Sequence, residues 1–149
     1  MVYKKRRARL EEARLKRERM QTVVRLSLDR LSEVSGGRAS ASAVYYFIWV
    51  VERVCRRHKI PFHSFGFKVK QGMLTSARLT YILRRMIKEG SLRLEGDYLV
   101  PAAGVPVMDR IDTDWEFTDP VADVINKTAE QWSSDTPDEH LVRFVKLFK

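Results

Sequence analysis

The chain has 149 residues, 28 Lys and Arg against 19 Asp and Glu, and a formal net charge of +9. That length is one ordinary domain with room for an appendage, and a protein so basic is drawn to polyanions, meaning nucleic acid or an anionic membrane surface. The lone Cys55 excludes an intrachain disulfide and a cysteine-rich zinc site; the longest apolar run, Ala43 to Val51, is about half of the ~20 residues a bilayer crossing needs.

The charge is unevenly distributed. Residues 1–30 hold 11 basic against 4 acidic side chains, residues 31–99 hold 12 against 5, and residues 100–149 hold 5 against 10. A basic front and an acidic back make a dipolar molecule. The charged N-terminal stretch lacks the apolar centre of a signal peptide. An intracellular setting, cytoplasmic or nucleoid-associated, is therefore expected, with no membrane partner.

Residues 1–35 read as a basic N-terminal helix or arm with two characters. From Lys4 to Arg19 the chain is rich in helix formers and polar nearly all round. Its Lys4, Lys5, Arg6, Arg7, Arg9, Arg14, Lys16, Arg17 and Arg19 can track phosphates and order on binding, or serve as a solubilising helix or a dimer strut. From Met20 an apolar stripe begins, Met20, Val24, Leu28, Leu31 and Val34. It should be buried, either on the core or across a homodimer made through this helix. Ser35 to Ser40 is a break and the expected linker.

Ser40 or Ser42 can cap the next helix, Ala43 to His58, whose Val44, Phe47, Ile48, Val51, Val54 and Cys55 share a face. Phe62 to Val69 is strand-like in its aromatic content. A short turn or helix through residues 70–74 then leads to Thr75 as the expected N-cap of a basic helix. That helix sets Leu79, Ile82, Leu83, Met86 and Ile87 on one side, at the spacing of a single helical face. Gly90 supplies a left-handed stop. Leu92 and Leu94 alternate with Arg93 and Glu95, Gly96-Asp97 makes a turn, and Pro101 closes a hairpin. Residues 102–149 read as an acidic loop and C-terminal helices packed on the core. One helix opens at Thr118-Asp119-Pro120 and carries Val121, Val124, Ile125, Ala129 and Trp132. The other runs from Pro137 to Phe148.

The strongest functional candidate is the basic helix. Arg78, Arg85 and Lys88 share its outer face, with Tyr81 and Arg84 nearby, and no acid interrupts Arg78 to Lys88. Arginine can bond guanine bidentately, and both Arg and Lys neutralise phosphate. Arg93 in the hairpin, with Lys68 and Lys70 ahead of the helix, would extend the footprint. Enzyme signals are poor, and no catalytic residue, metal ligand or cofactor is expected. His58, His63 and His140 stand in separate segments, and the acids Asp109, Asp112, Asp114 and Glu116 lack calcium-loop spacing.

A helix followed by a two-stranded hairpin resembles the second half of a winged helix-turn-helix, over about residues 41–101. YYFIWVVERV, FHSFGFKV, Gly72, the helix to Glu89-Gly90 and DEHLVRFVKLF further resemble the Panacea-type antitoxin domain. That family's Gly-Pro-Tyr-Ser turn is replaced here by Gly72-Met73-Leu74-Thr75, so only the architecture carries over. The expected fold is mainly α with a small β-hairpin: a winged helix-turn-helix core with N- and C-terminal helical extensions. The expected function is non-enzymatic binding of double-stranded DNA, as a small transcriptional regulator or architectural protein. The alternative is a protein-interaction module, a docking subunit or antitoxin-like protein with a protein partner. A third reading is RNA binding through the basic arm.

Overall fold

Nine elements follow one another among residues 2–102 and 118–132, which the computed structural model describes; these residues are mainly helical with small antiparallel sheets. Helix α1 (Val2–Val34) is continuous from the basic stretch into the apolar one. Its first half is exposed and held by local pairs such as Arg14 to Glu11, 3.9 Å, and Arg14 to Glu18, 4.0 Å, so Lys4 to Arg19 is helix in the free chain. Burial begins at Met20 and takes in Val23, Val24, Leu26, Leu28 and Leu31. The buried arc is wider than the expected stripe because α1 is covered by other helices on more than one side. Val34, in the last turn, is 38% exposed and does not belong to it. The glycines after it end the helix: Gly36 is left-handed at φ +78°, and the Gly37 amide donates to the Ser32 carbonyl at 2.7 Å.

The expected linker contains a strand. Ala39 and Ser40 form β1 (Ala39–Ser40), which pairs antiparallel with a later hairpin. Ser40 also caps α2 (Ala41–Arg57), its Oγ accepting from the Ala43 amide at 3.2 Å. Val44, Phe47, Ile48, Val51 and Cys55 are buried on this helix. Beyond the C-cap, the Lys59 and Ile60 amides donate to the Arg56 and Cys55 carbonyls, with Lys59 left-handed at φ +56°. Such paired bonds satisfy carbonyls the helix end leaves open.

The aromatic stretch is not the strand its composition suggests. Only Lys68–Lys70 is extended and paired (β2), against β3 (Met73–Thr75) across a two-residue turn at Gln71-Gly72, both with positive φ. Of the expected turn or helix through residues 70–74, the turn is present at Gln71-Gly72 and the helix gives way to this hairpin. Phe62 to Phe67 stays irregular because its backbone bonds go to side chains. The buried Glu52 carboxylate accepts from the Phe65 amide at 2.8 Å, and the Ser76 hydroxyl donates to the Phe65 carbonyl at 2.6 Å. Phe65 is buried, with the Phe62 and Phe67 rings 5.9 and 6.0 Å away.

Helix α3 (Ala77–Glu89) is capped by Ser76, whose Oγ accepts from the Leu79 amide at 3.1 Å. Thr75 is not the cap, since it pairs with Lys68 as the last residue of β3. Leu79, Ile82, Leu83 and Met86 are buried, and Gly90 ends the helix at φ +82°. Next come β4 (Leu92–Glu95) and β5 (Tyr98–Pro101), joined at Gly96-Asp97 and registered from Leu92 opposite Pro101 to Glu95 opposite Tyr98. Strand β1 adds to the free side of β5, Ala39 opposite Leu99, for the order β1-β5-β4. Helix α4 (Thr118–Glu130) has Pro120 in its first turn and buries Val121, Val124, Ile125 and Ala129 against α1 and α2. Trp132 follows it, its ring 5.3 Å from Tyr46 and 5.2 Å from Phe47.

All four helices and the three-stranded sheet share one apolar core, and Met20 to Leu31 belongs to it as fully as residues 41–101 do. No helix among the described residues is long and apolar enough to cross a membrane. The acidic loop with Asp109, Asp112, Asp114 and Glu116, the helix from Pro137 and His140 lie outside the described residues.

Candidate nucleic-acid interface

Four buried residues fix how α3 is rolled, so its opposite side must face solvent. That side presents Arg78, Tyr81, Arg84, Arg85 and Lys88, all exposed, with Tyr81 at 57% near its centre. A second anchor sits at the helix start, where the Tyr45 and Thr80 hydroxyls are hydrogen-bonded and Thr80 Oγ1 donates to the Ser76 carbonyl at 2.9 Å. The face therefore sits on a packed element.

The five side chains are not equivalent. Arg78 Nη1 donates to the Ser64 carbonyl at 2.7 Å, which ties it to the aromatic loop. Arg85 Nε donates to Glu89 Oε1 at 2.9 Å, a surface pair with both side chains about half exposed. That hydrogen bond, and the Glu89 charge after it, raise the guanidinium pKa above its ordinary value. Arg84 and Lys88 make no hydrogen bond or ion pair among the described residues. The sequence sets Arg78, Arg85 and Lys88 together on the outer face with Arg84 nearby, whereas within the described residues Arg78 and Arg85 are engaged and Arg84 and Lys88 are not.

Other candidates surround this face. Arg93 is exposed on the hairpin, 3.6 Å from Glu95. Lys68 and Lys70, both exposed, line a shallow cavity of about 510 Å³ beside Thr75 and Arg78. One cation missed in the sequence is Arg38, whose guanidinium lies 4.1 Å from the centre of the Tyr98 ring on β5. Only the β1–β5 pairing brings those residues together, so no local pattern could have shown it.

The arm candidates divide in two. Lys4, Lys5, Arg6, Arg7, Arg9, Arg14 and Arg17 are exposed, whereas Lys16 and Arg19 are half-buried. Lys16 and Arg17 join Leu10 and Ala13 of α1 in a groove of about 650 Å³, whose other wall is Arg78 and Tyr81 of α3. The arm and the basic face of α3 thus border a common space, although about 60 residues separate them in sequence. His63 lies within reach of the same charge. Burial lowers its pKa, and the Lys16 and Arg19 cations lower it further.

Cys55 is buried, its thiol pushed up to about 11 by burial and then by the Glu52 carboxylate. A thiol held protonated is a core group rather than a nucleophile. Among the described residues no three His, Cys, Asp or Glu side chains group as a metal would need. Compared with protein-family models, curated proteins and solved structures, the chain matches none.

Proposed function

We propose that this chain is a non-enzymatic protein that binds double-stranded DNA, acting as a small transcriptional regulator or architectural protein. The observation that carries the reading is the outer face of α3. It is cationic and aromatic from Arg78 to Lys88, unbroken by acid, and sits on a helix whose other face is buried. Such a helix suits the major groove, where arginine and lysine donors meet guanine acceptors and flanking phosphates.

The order helix, strand, helix, helix, hairpin supports a winged helix in which β4 and β5 form the wing and β1 the third strand. On this reading the domain starts near Met20, because α1 supplies its first helix. The hairpin β2–β3 is inserted between the second and third helices. Arg93 and Arg38 then lie on or beside the wing, where backbone contact is made.

The test is a gel-shift titration against salt with duplex DNA, single-stranded DNA and RNA. Duplex should be preferred, and log K should fall linearly with log salt as counterions are released. Binding that does not weaken with salt would reject the reading. A protein-docking role is the second reading, favoured by the exposed apolar side chains Met73, Leu94 and Tyr81, at 64%, 57% and 57% exposure. A stoichiometric protein partner recovered without any DNA shift would establish it instead.

A further inference from the structure

We infer that the groove between the first half of α1 and the first turns of α3 seats the sugar–phosphate backbone of one DNA strand, clasped between the two helices. This rests on the duplex-binding reading and adds where, and by what, the backbone flanking the reading helix is held.

The groove has the chemistry of that occupant. Its lining is apolar at Leu10, Ala13, Met20, Ala77, Tyr81 and Ile82 and cationic at Lys16, Arg17 and Arg78. A backbone strand offers the matching pair of surfaces, apolar sugar faces and regularly spaced anions. Leu10 at 64% and Tyr81 at 57% exposure leave apolar area open to such a partner. The walls are also fixed in direction. Helix α1 is continuous, and its second half is buried from Met20 to Leu31, so the first half cannot swing freely. Residues 10–17 border the groove itself, and at 1.5 Å rise per residue residues 3–9 run about 10 Å past it, enough to follow a backbone beyond the footprint of α3.

Charge complementarity selects this occupant over a second copy seated through its own α1. Residues 3–19 hold 9 basic side chains against 3 acidic ones. Seating one such helix against another would bring two strongly cationic surfaces together without an intervening anion.

The experiment compares two single substitutions on α1 that change charge identically. Ala13→Glu puts a carboxylate in the groove. Ala8→Glu puts one about 140° away around the helix, since each residue advances about 100°. Both alanines are exposed, so neither change disturbs the core. The probe is a mixed-sequence duplex of about 24 base pairs at about 0.1 M KCl, where screening acts over about 10 Å. Ala13→Glu should weaken binding by about tenfold or more and reduce the salt slope by about 2, one for each phosphate released from the clasp. Ala8→Glu should cost less than about threefold. Equal losses in the two variants would mean that α1 acts only through its overall field, and would overturn the clasp while leaving duplex binding by α3 intact. Wild-type protein that fails to bind duplex at all would remove the underlying reading, and the clasp with it. A wild-type dimer in sedimentation that Ala13→Glu alone dissociates would give the groove to a second copy and also overturn the proposal.

Discussion

At the scale of single residues, the basic face of α3 is governed by which cations are already engaged. Glu89 accepts from Arg85 at 2.9 Å, so Arg85 must exchange this partner before it can meet a base or phosphate. Glu89→Gln weakens that hold and removes the negative charge at the end of the face. It should tighten duplex binding by about threefold, whereas Arg84→Ala should weaken it by about tenfold and relax base preference. A competition binding assay over a randomised duplex pool measures both effects; Arg84→Ala leaving affinity and preference unchanged would remove α3 as the reader.

His63 supplies a pH dependence at the same scale. Burial comes first and the Lys16 and Arg19 charges second in lowering its folded-state pKa below the unfolded value. Between the two values the unfolded chain binds more protons, so stability rises with pH. The contribution is therefore full above about 6.5 and is lost as pH falls through the lowered value. From neutral to mildly acid pH the melting temperature of wild type should fall more than that of His63→Gln, which lacks the titrating group; identical slopes would exclude His63 as the cause.

At the scale of elements, Ser76 is the joint between the aromatic loop and α3. Its hydroxyl accepts from the Leu79 amide and donates to the Phe65 carbonyl, and the residue is 1% exposed. Ser76→Ala loses a helix cap worth about 1 kcal/mol and leaves a buried carbonyl without its donor, which adds about 1–2 kcal/mol. Chemical denaturation should show a loss of about 2–3 kcal/mol with an unchanged denaturant slope. A loss below about 0.5 kcal/mol would mean that the loop re-forms its bonds elsewhere. Glu52 holds the other side of the same residue through the Phe65 amide, so loop and cap are supported from both α2 and α3.

At the scale of the whole molecule, α1 joins two jobs in one helix. From Met20 on it is core, and Leu28→Ala should cost about 2–5 kcal/mol through lost burial and the cavity left behind. Before Met20 it is an exposed cationic strut. Removing residues 1–16 should leave the melting temperature nearly unchanged, weaken binding to all duplex sequences alike and flatten the salt dependence. A truncated chain that melts far lower would show that the strut supports the fold. Of the two expected ways to bury the stripe, on the core or across a homodimer, the first holds for Met20, Val24, Leu28 and Leu31, which the chain's own sheet and helices cover.

The sequence by itself determined what depends on near neighbours. The periodicity of Leu79 to Met86, the left-handed Gly90, the Gly96-Asp97 turn and the proline-led start of α4 are each decided within a few residues, by helical spacing or allowed φ, and all were legible. The missed features depend on partners distant in the chain. Phe62 to Phe67 has strand composition but donates and accepts through Glu52 and Ser76. Ala39-Ser40 has linker composition but finds the open edge of β5. Thr75 resembles a cap as well as Ser76 does, until pairing with Lys68 removes it. The same division runs through the candidate interface. Local pattern identified the cations of α3, because an amphipathic helix must turn its polar side outward. That Glu89 engages Arg85, that Arg38 stacks on Tyr98, and that the basic half of α1 shares a groove with Arg78 and Tyr81 was decided only by tertiary packing, which sets elements far apart in sequence side by side.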